Sequence, residues 1–237
     1  MSFAAPIQII ELDRVEITVE RWQWEFAIRQ RMEIDQHFAR RQRERPTIWN
    51  GRVFLLNRYE ISAGVLQGSS FETDYASFLA WYDWGFRDAG VFNVFAAAAL
   101  RAADGAYLVG EMAQSTAAAG QIYFPSGTPD REDVGAEGAL DLAGSVGREL
   151  LEETGLDIGA LAAEPGWTLV RDSGFVGLMK RLTACQNAAE LRSRIMHHLA
   201  NEAQPEFSDI RIVRGRADLD ARMPRFVIAY LEAMWRQ

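Results

Sequence analysis

The spacing of apolar residues changes several times along the chain, and each change predicts a new secondary-structure element. Short apolar or alternating runs that end at Gly, Pro, Asn or Asp indicate strands, whereas apolar residues that recur every three or four positions indicate helices. Before residue 90 the pattern predicts two strands at 6–12 and 15–19, a helix within 20–45 that ends at Pro46, a turn at Asn50-Gly51 followed by strand residues, and an aromatic-rich amphipathic helix at 74–86.

The remainder of the chain alternates predicted strands with fewer predicted helices. An apolar run at 91–100 and the residues after Ala103-Asp104-Gly105 predict a β-hairpin. Asp141 can cap a helix that runs from Leu142 to Thr154 and stops at Gly155. Further strands are predicted within 120–127 and at 167–172, 176–185 and 210–213, and further helices at 188–200 and 224–236. We therefore expect an α+β protein with a small α+β N-terminal domain at 1–90 and a mixed-sheet domain at 91–237.

Composition narrows the class of protein. The chain has 237 residues, 49% hydrophobic and 24% charged, which is typical of a soluble globular protein. The net charge of -8 argues against a general nucleic-acid binder but leaves open an anionic ligand that binds together with a divalent cation. The single cysteine, Cys185, excludes a disulfide within the chain and a cysteine zinc cluster, and we expect it to be a buried thiol. Early acidic residues and short apolar runs predict a cytoplasmic protein with no signal peptide and no membrane partner.

One stretch of the predicted helix from Leu142 carries an unfavourable charge pattern. The sequence RELLEETGL at 148–156 contains Glu149, Glu152 and Glu153. At about 100° per residue, Glu152 lies about 60° to one side of Glu149 and Glu153 about 40° to the other. Such like-charge pairs cost about 0.2–0.5 kcal/mol each, and negative charge near a helix C-terminus opposes the helix dipole. A solvated glutamate face is the ordinary alternative, but helix stability alone would not select this one.

A divalent cation would reverse the sign of this electrostatic cost. Carboxylate oxygens are the ligands that Mg²⁺ or Mn²⁺ prefers, together with the phosphates of a substrate. Ala143, Val146 and Leu150 form a neighbouring apolar stripe that can pack the helix on the sheet. The sequence therefore predicts a metal site on the exposed side of that contact.

RELLEETGL resembles the core of the Nudix box, the signature of the Nudix hydrolases. The matching positions are Arg148, Glu149, Leu150, Glu152, Glu153, Gly155 and Leu156. The resemblance implies an α-β-α sandwich, the Nudix fold, and cleavage of a nucleoside diphosphate linked to another moiety. It also implies that Glu152 and Glu153 are the main metal ligands, that Glu149 is a ligand or the base that deprotonates water, and that Arg148 orients the glutamates by a salt bridge.

The part of the box before Arg148 departs from the family pattern. Gly127, in the segment FPSGTP, resembles the family's first glycine, and its carbonyl is then a further metal ligand. Arg148 follows it by 21 positions, which is longer than the pattern and indicates an insertion in the acidic stretch between them. The family's intervening acidic residue could be Asp133, Glu132 or Asp141. Family members also use an acidic residue outside the box, for which Glu206 is the first candidate and Glu202 the second.

The N-terminal part is similar to the extension of the family members that cleave UDP-glucose and UDP-galactose. The similarity rests on an N-G-x-x-F strand and a T-D-Y-x-x-F helix, here Asn50, Gly51 and Phe54, then Thr73, Asp74, Tyr75 and Phe78. It implies hydrolysis of a UDP-sugar to UMP and sugar 1-phosphate with Mg²⁺, although individual residues of this kind are more often only scaffold of a shared N-terminal domain. Two other hypotheses stay open. One is a Nudix hydrolase of ADP-ribose, NADH or coenzyme A, and the other is a catalytically silent nucleotide-binding module.

Arginines and aromatic residues outside the box are candidates for substrate binding. Arg52, Arg87 and Arg171 could meet phosphates, although solvated arginines are the simpler alternative. The aromatic residues of the N-terminal part could stack on a base, but such residues more often belong to the core. These include Trp49, Trp81, Tyr82 and Trp84.

Overall fold

The computed structural model describes residues 6–236 and confirms the expected mixed α+β fold. The twelve strands are β1 (Gln8–Leu12), β2 (Arg14–Val19), β3 (Arg52–Ser62), β4 (Val65–Asp74), β5 (Asn93–Arg101), β6 (Tyr107–Met112), β7 (Ile122–Tyr123), β8 (Ser126–Gly127), β9 (Ala162–Ala163), β10 (Trp167–Asp172), β11 (Phe175–Thr183) and β12 (Phe207–Val213). The six α-helices of the described residues are α1 (Glu25–Arg29), α2 (Arg31–Glu44), α3 (Tyr75–Asp83), α4 (Leu142–Thr154), α5 (Ala188–Asn201) and α6 (Arg225–Met234).

The larger sheet is mixed, as expected, and has nine strands. Its main path runs β1-β10-β11-β5-β6-β12, and the short strands β7, β8 and β9 pair with β6, β5 and β11. Strands β11 and β5 are parallel, and the other neighbours on the path are antiparallel. The pairing of β8 with β5 matters for the site, because it fixes Gly127 opposite Ala96 near the middle of the sheet.

Alternating side chains of β5 build the two halves of an α-β-α sandwich. Side chains of successive strand residues point to opposite faces. One face of β5 shares a core with α4 and α5, and the other shares a core with α6. The first face presents Val94, Ala96, Ala98 and Leu100, and the second presents Phe95, Ala97 and Ala99. The strand is buried up to its last residue, Arg101, which explains why its sequence is a continuous apolar run.

A second sheet of three strands, β2-β4-β3, packs beside the sandwich. One of its faces, with Ile17, Phe54 and Leu66, joins the core that contains α4 and α5. Its other face packs against the aromatic residues of α3 and of the segment before α1. The domain boundary near residue 90 stays a prediction. Strand β1, which precedes that boundary, pairs with β10 of the large sheet.

Several sequence-based expectations need correction. Residues 20–45 form two helices rather than one, because the helix is interrupted at Gln30. The first of the two begins only at Glu25. Strand β4 had no clear sequence signal, since its buried positions include Ser69 and Ser70. Cys185 is exposed in the turn between β11 and α5, so the expected buried thiol is wrong. Within residues 6–236, no helix is both long enough and apolar enough to cross a membrane.

Candidate active site

Helix α4 begins and ends where its sequence predicts. The Asp141 side chain accepts a hydrogen bond from the Gly144 backbone N–H at 2.9 Å, and Gly155 ends the helix in the left-handed conformation with φ 68°. Leu142, Val146 and Leu150 are buried against the sheet. The predicted stripe was wrong in one position, because Ala143 is exposed and Leu142 takes its place.

The three glutamates of α4 lie at different depths, although they share one side of the helix. Glu153 is only 4% exposed, and its Oε2 accepts a hydrogen bond from the Ser126 backbone N–H of β8 at 3.0 Å. The Glu149 side chain is 15% exposed and the Glu152 side chain 59% exposed. The stripe therefore forms a graded row of carboxylates from the core to the solvent.

Arg148 connects this row to the segment before the helix. Its Nη2 donates to both carboxylate oxygens of Asp133, at 3.1 and 3.2 Å, and its Nη1 lies 2.9 Å from Glu149 Oε1 and 3.5 Å from Glu152 Oε2. Asp133 is buried. Among the three acidic residues that the sequence left open before Arg148, Asp133 is the partner of the arginine, since Glu132 is exposed and Asp141 caps α4.

The inserted segment 128–141 packs on the three-stranded sheet. The Pro129 carbonyl accepts a hydrogen bond from the Phe54 N–H at 3.0 Å, and the Leu140 N–H donates to the Ile17 carbonyl at 2.8 Å. Within the segment, the Asp141 N–H donates to the Asp133 carbonyl at 2.7 Å. These bonds hold Asp133 in position for Arg148 despite the longer spacing to Gly127.

The carboxylates disfavour one another's charge. Burial raises the pKa of Glu149 to about 7, with Arg148 opposing the increase and Glu152 and Glu206 adding to it. Burial also raises the pKa of Glu153 well above its ordinary value, and the negative charges of Glu206 and Glu149 raise it further. Partial burial and Glu152 raise the pKa of Glu206, although solvent moderates this effect because Glu206 is exposed. Glu206, which directly precedes β12, lines the same cavity as Ser126 and Gly127, whereas Glu202 is the exposed residue that ends α5.

Gly127 lies directly beside the Glu149 carboxylate. A Cβ atom at this position would be 2.5 Å from Glu149 Cδ, so only glycine leaves the carboxylate in place. Within residues 6–236, no three His, Cys, Asp or Glu side chains converge closely enough to hold a metal ion, because these carboxylates are directed towards Arg148 and the Ser126 N–H. The chemistry of these residues still fits a divalent cation, since their hard carboxylate oxygens lie along one side of α4, partly buried and only partly neutralised by Arg148.

Two cavities meet at Glu206. The aromatic cavity, of about 550 Å³, contains Ser126, Gly127 and Glu206 and is lined by the rings of Phe78, Tyr82, Phe95, Tyr123, Phe175 and Phe226. The polar cavity, of about 440 Å³, contains Thr47, Trp49, Arg52, Asp130, Gln204 and Glu206. Both volumes lie in the range of small-molecule sites.

Comparison with known proteins gives no match to a family model and no match to a curated protein. Parts of the fold are similar to solved structures. RenU, a Nudix hydrolase from M. smegmatis, has a TM-score of 0.42 and 17% identity over 62% of this chain and 87% of its own. The MutT protein from Methanosarcina mazei Go1 has a TM-score of 0.40 and 14% identity over 61% and 94%. The NUDIX domain of Shewanella oneidensis NrtR, solved with ADP ribose, has a TM-score of 0.37 and 21% identity over 69% and 99%.

The three candidate arginines lie in different places. Arg52 lines the polar cavity and is 3.5 Å from Glu72. Arg87 lies over the Trp84 ring, 5.2 Å from its centroid. Arg171 lies over Phe92 in a third cavity, which contains neither Gly127 nor Glu206. Only Arg52 is thus brought to the cavities that meet at Glu206, and the assignment of all three to substrate binding stays a prediction.

Sequence reasoning missed most of the cavity wall. Arg41 of α2 lines the aromatic cavity, where it also lies 3.2 Å from Asp83. Phe175 and Phe226 come from β11 and α6, and nothing in the sequence had singled them out. Among the aromatic candidates, Tyr82 and Trp49 line cavities, whereas Trp81 is fully buried in the core. The sequence had singled out four aromatic residues of the cavity walls, Tyr82 and Trp49 for their place among many aromatic residues and Tyr75 and Phe78 for the T-D-Y-x-x-F motif.

Proposed function

We propose that this chain is a metal-dependent pyrophosphohydrolase of a nucleoside diphosphate linked to another moiety. We further propose that the substrate is a UDP-sugar, and that the products are UMP and sugar 1-phosphate. The observation that carries the proposal is the row of carboxylates on α4, from Glu149, Glu152 and Glu153, which lies against Ser126 and Gly127 of a cavity that also contains Glu206 and aromatic rings.

The metal would be held by oxygen ligands. Glu152, Glu153 and Glu206 offer carboxylates for Mg²⁺ or Mn²⁺, and Gly127 offers its backbone carbonyl. Such a cation neutralises the charge of the diphosphate and so lets a nucleophile approach phosphorus. Glu149 lies next to Gly127 and could join the ligands, but its position favours a second role.

Glu149 is suited to accept the proton of the attacking water. Arg148 holds its carboxylate at 2.9 Å and is itself held by Asp133, so the base has a fixed orientation. The water oxygen forms a new bond to one phosphorus while the anhydride P–O bond breaks. The bridging oxygen leaves with the other phosphate, and the proton of the water passes to Glu149.

The aromatic cavity suits the nucleobase. Five of its six rings are half-buried or exposed, and only Phe95 belongs to the buried core, so the wall offers ring faces to a planar ligand. The Asn93 amide in the same wall is nearly buried and accepts a hydrogen bond from the Thr128 hydroxyl at 3.2 Å. The choice of uridine and of a sugar rests on the resemblance of the N-terminal motifs to the UDP-sugar-cleaving extension.

The test is hydrolysis of a substrate panel with Mg²⁺. The panel contains UDP-glucose, UDP-galactose, ADP-ribose, NADH and coenzyme A, and phosphate is measured after coupling to a phosphatase. We expect UDP-sugars to be hydrolysed, and Glu152→Gln and Glu153→Gln each to lower kcat by orders of magnitude. Glu190→Gln, at an exposed position of α5, is the matched control and should leave kcat unchanged.

The other outcomes separate the alternatives. Turnover of ADP-ribose, NADH or coenzyme A without turnover of UDP-sugars would replace the proposed substrate. Tight ligand binding with no turnover of any compound would indicate a binding module. Near-normal rates of both glutamine variants would contradict the metal site.

A further inference from the structure

Trp49 is a large aromatic residue that does not pack in the core. It is 75% exposed, the most exposed of the large hydrophobic residues among 6–236. Single exposed apolar side chains are common on protein surfaces, so the exposure of Trp49 gains meaning only from the cavity beside it. The side chain lines the mouth of the polar cavity.

Trp49 is nevertheless held in one position by its neighbours in the chain. The Asn50 Oδ1 accepts a hydrogen bond from the Ala76 N–H at 2.8 Å, and the Gly51 carbonyl accepts one from the Tyr75 N–H at 2.9 Å. These bonds fasten the backbone after Trp49 to the first turn of α3. The indole ring also lies against Gly51, where a Cβ would be 2.8 Å from a ring carbon. The glycine thus makes room for the ring to rest on the backbone.

The polar cavity extends from Trp49 to Glu206, one of the four carboxylates. The two cavities share Tyr75, Ala117, Thr128 and Glu206. A ligand whose diphosphate lies at Glu206 can therefore extend in two directions. One direction is lined with aromatic rings, and the other with Trp49 and polar side chains that include Arg52, Asp130 and Gln204.

We propose that Trp49 is the stacking platform for the sugar ring of the substrate. The inference rests on the proposed function and names the group at the second end of the diphosphate. A sugar ring has a face of C–H bonds, which carry slight positive charge and pack favourably on the negative face of an indole. Its hydroxyl groups lie at the rim, where Arg52, Asp130 and Gln204 supply donors and acceptors.

Equilibrium binding measures this role directly. Calorimetric titrations with Mg²⁺ in a Glu149→Gln background, chosen to slow turnover, compare UDP-glucose with UDP and ADP-ribose with ADP. In each pair only the first ligand carries a sugar beyond the diphosphate. We expect Trp49→Ala to weaken the sugar-bearing ligand roughly tenfold and to change the affinity for the diphosphate by less than about twofold. Trp49→Phe should recover part of the affinity.

The control is Trp22→Ala. Trp22 is 41% exposed, packs on Phe71 and lines neither of the two cavities, so affinity for all four ligands should be unchanged. Three results would overturn the proposal: equal losses for both ligands of a pair, no loss for either, or a Glu149→Gln chain with Trp49 in place that binds the sugar-bearing ligand no more tightly than the diphosphate. Binding that depends on Trp49 in a chain that hydrolyses no panel compound would instead refute the proposed hydrolysis alone.

Discussion

Replacing Gly127 by alanine tests whether the position of the Glu149 carboxylate limits the rate. The added methyl group would lie 2.5 Å from Glu149 Cδ, whereas ordinary contact begins at 3.4 Å. The carboxylate must therefore move by about 1 Å, and a displacement of that size can lower a rate by about a hundredfold. Gly127 does not have a positive φ, so alanine adds no backbone strain of its own.

The assay is kcat with Mg²⁺ on the best substrate of the panel, together with thermal unfolding. We expect kcat to fall by about a hundredfold, while overpacking lowers the free energy of unfolding by about 1–3 kcal/mol. Gly215→Ala is the control, because a Cβ there meets no atom within 4 Å. A folded Gly127→Ala protein with kcat within about twofold of wild type would refute the reasoning.

Two further predictions concern Arg148 and the buried charge. Asp133→Asn removes an ionic partner of Arg148 at 3.1 Å. We expect kcat to fall and the free energy of unfolding to decrease by about 1–3 kcal/mol. An unchanged urea midpoint would contradict this expectation. The pKa of Glu149 is raised from 4.5 to about 7, so the folded protein keeps a proton that the unfolded chain releases. In EDTA, this contribution to stability should be complete below about pH 4.5, be lost as the pH rises from there through 7, and level off above 7 after a total loss of about 3 kcal/mol. Melting curves between pH 4.5 and 8 measure this loss, and a slope that Glu149→Gln leaves unchanged would rule out Glu149 as its source.

The sequence predicted the elements that depend on local signals. Helix α4 carries its own cap at Asp141 and its own stop at Gly155, and both work as predicted. Strand β10 was predicted with its observed bounds because its apolar residues form one run. The fold class followed from these elements, because strands outnumber helices and α4 presents a clear apolar side.

The sequence could not predict contacts between distant segments. Asp133 reaches Arg148 only because the inserted segment is bonded to β2 and β3, which no spacing rule describes. Arg41 lies in a run of arginines that would look the same on a solvated helix. Strands β1 and β2 belong to different sheets, β1 pairing with β10 and β2 with β4. The sequence did not predict this separation, since the short turn between the two strands is also typical of a hairpin. Each of these features depends on how elements pack.

The two halves of the chain contribute to the two cavities in different ways. The carboxylates come from α4 and the start of β12, whereas Trp49, Arg52, Phe78 and Tyr82 come from the N-terminal part. Arg45 also donates a hydrogen bond at 2.6 Å to the Thr116 carbonyl, in the loop that carries Ala117 between the cavities. Both cavities take walls from both halves, whereas all four carboxylates lie after residue 90. Substitutions before residue 90 can therefore reshape the walls of both cavities while the carboxylates stay in place.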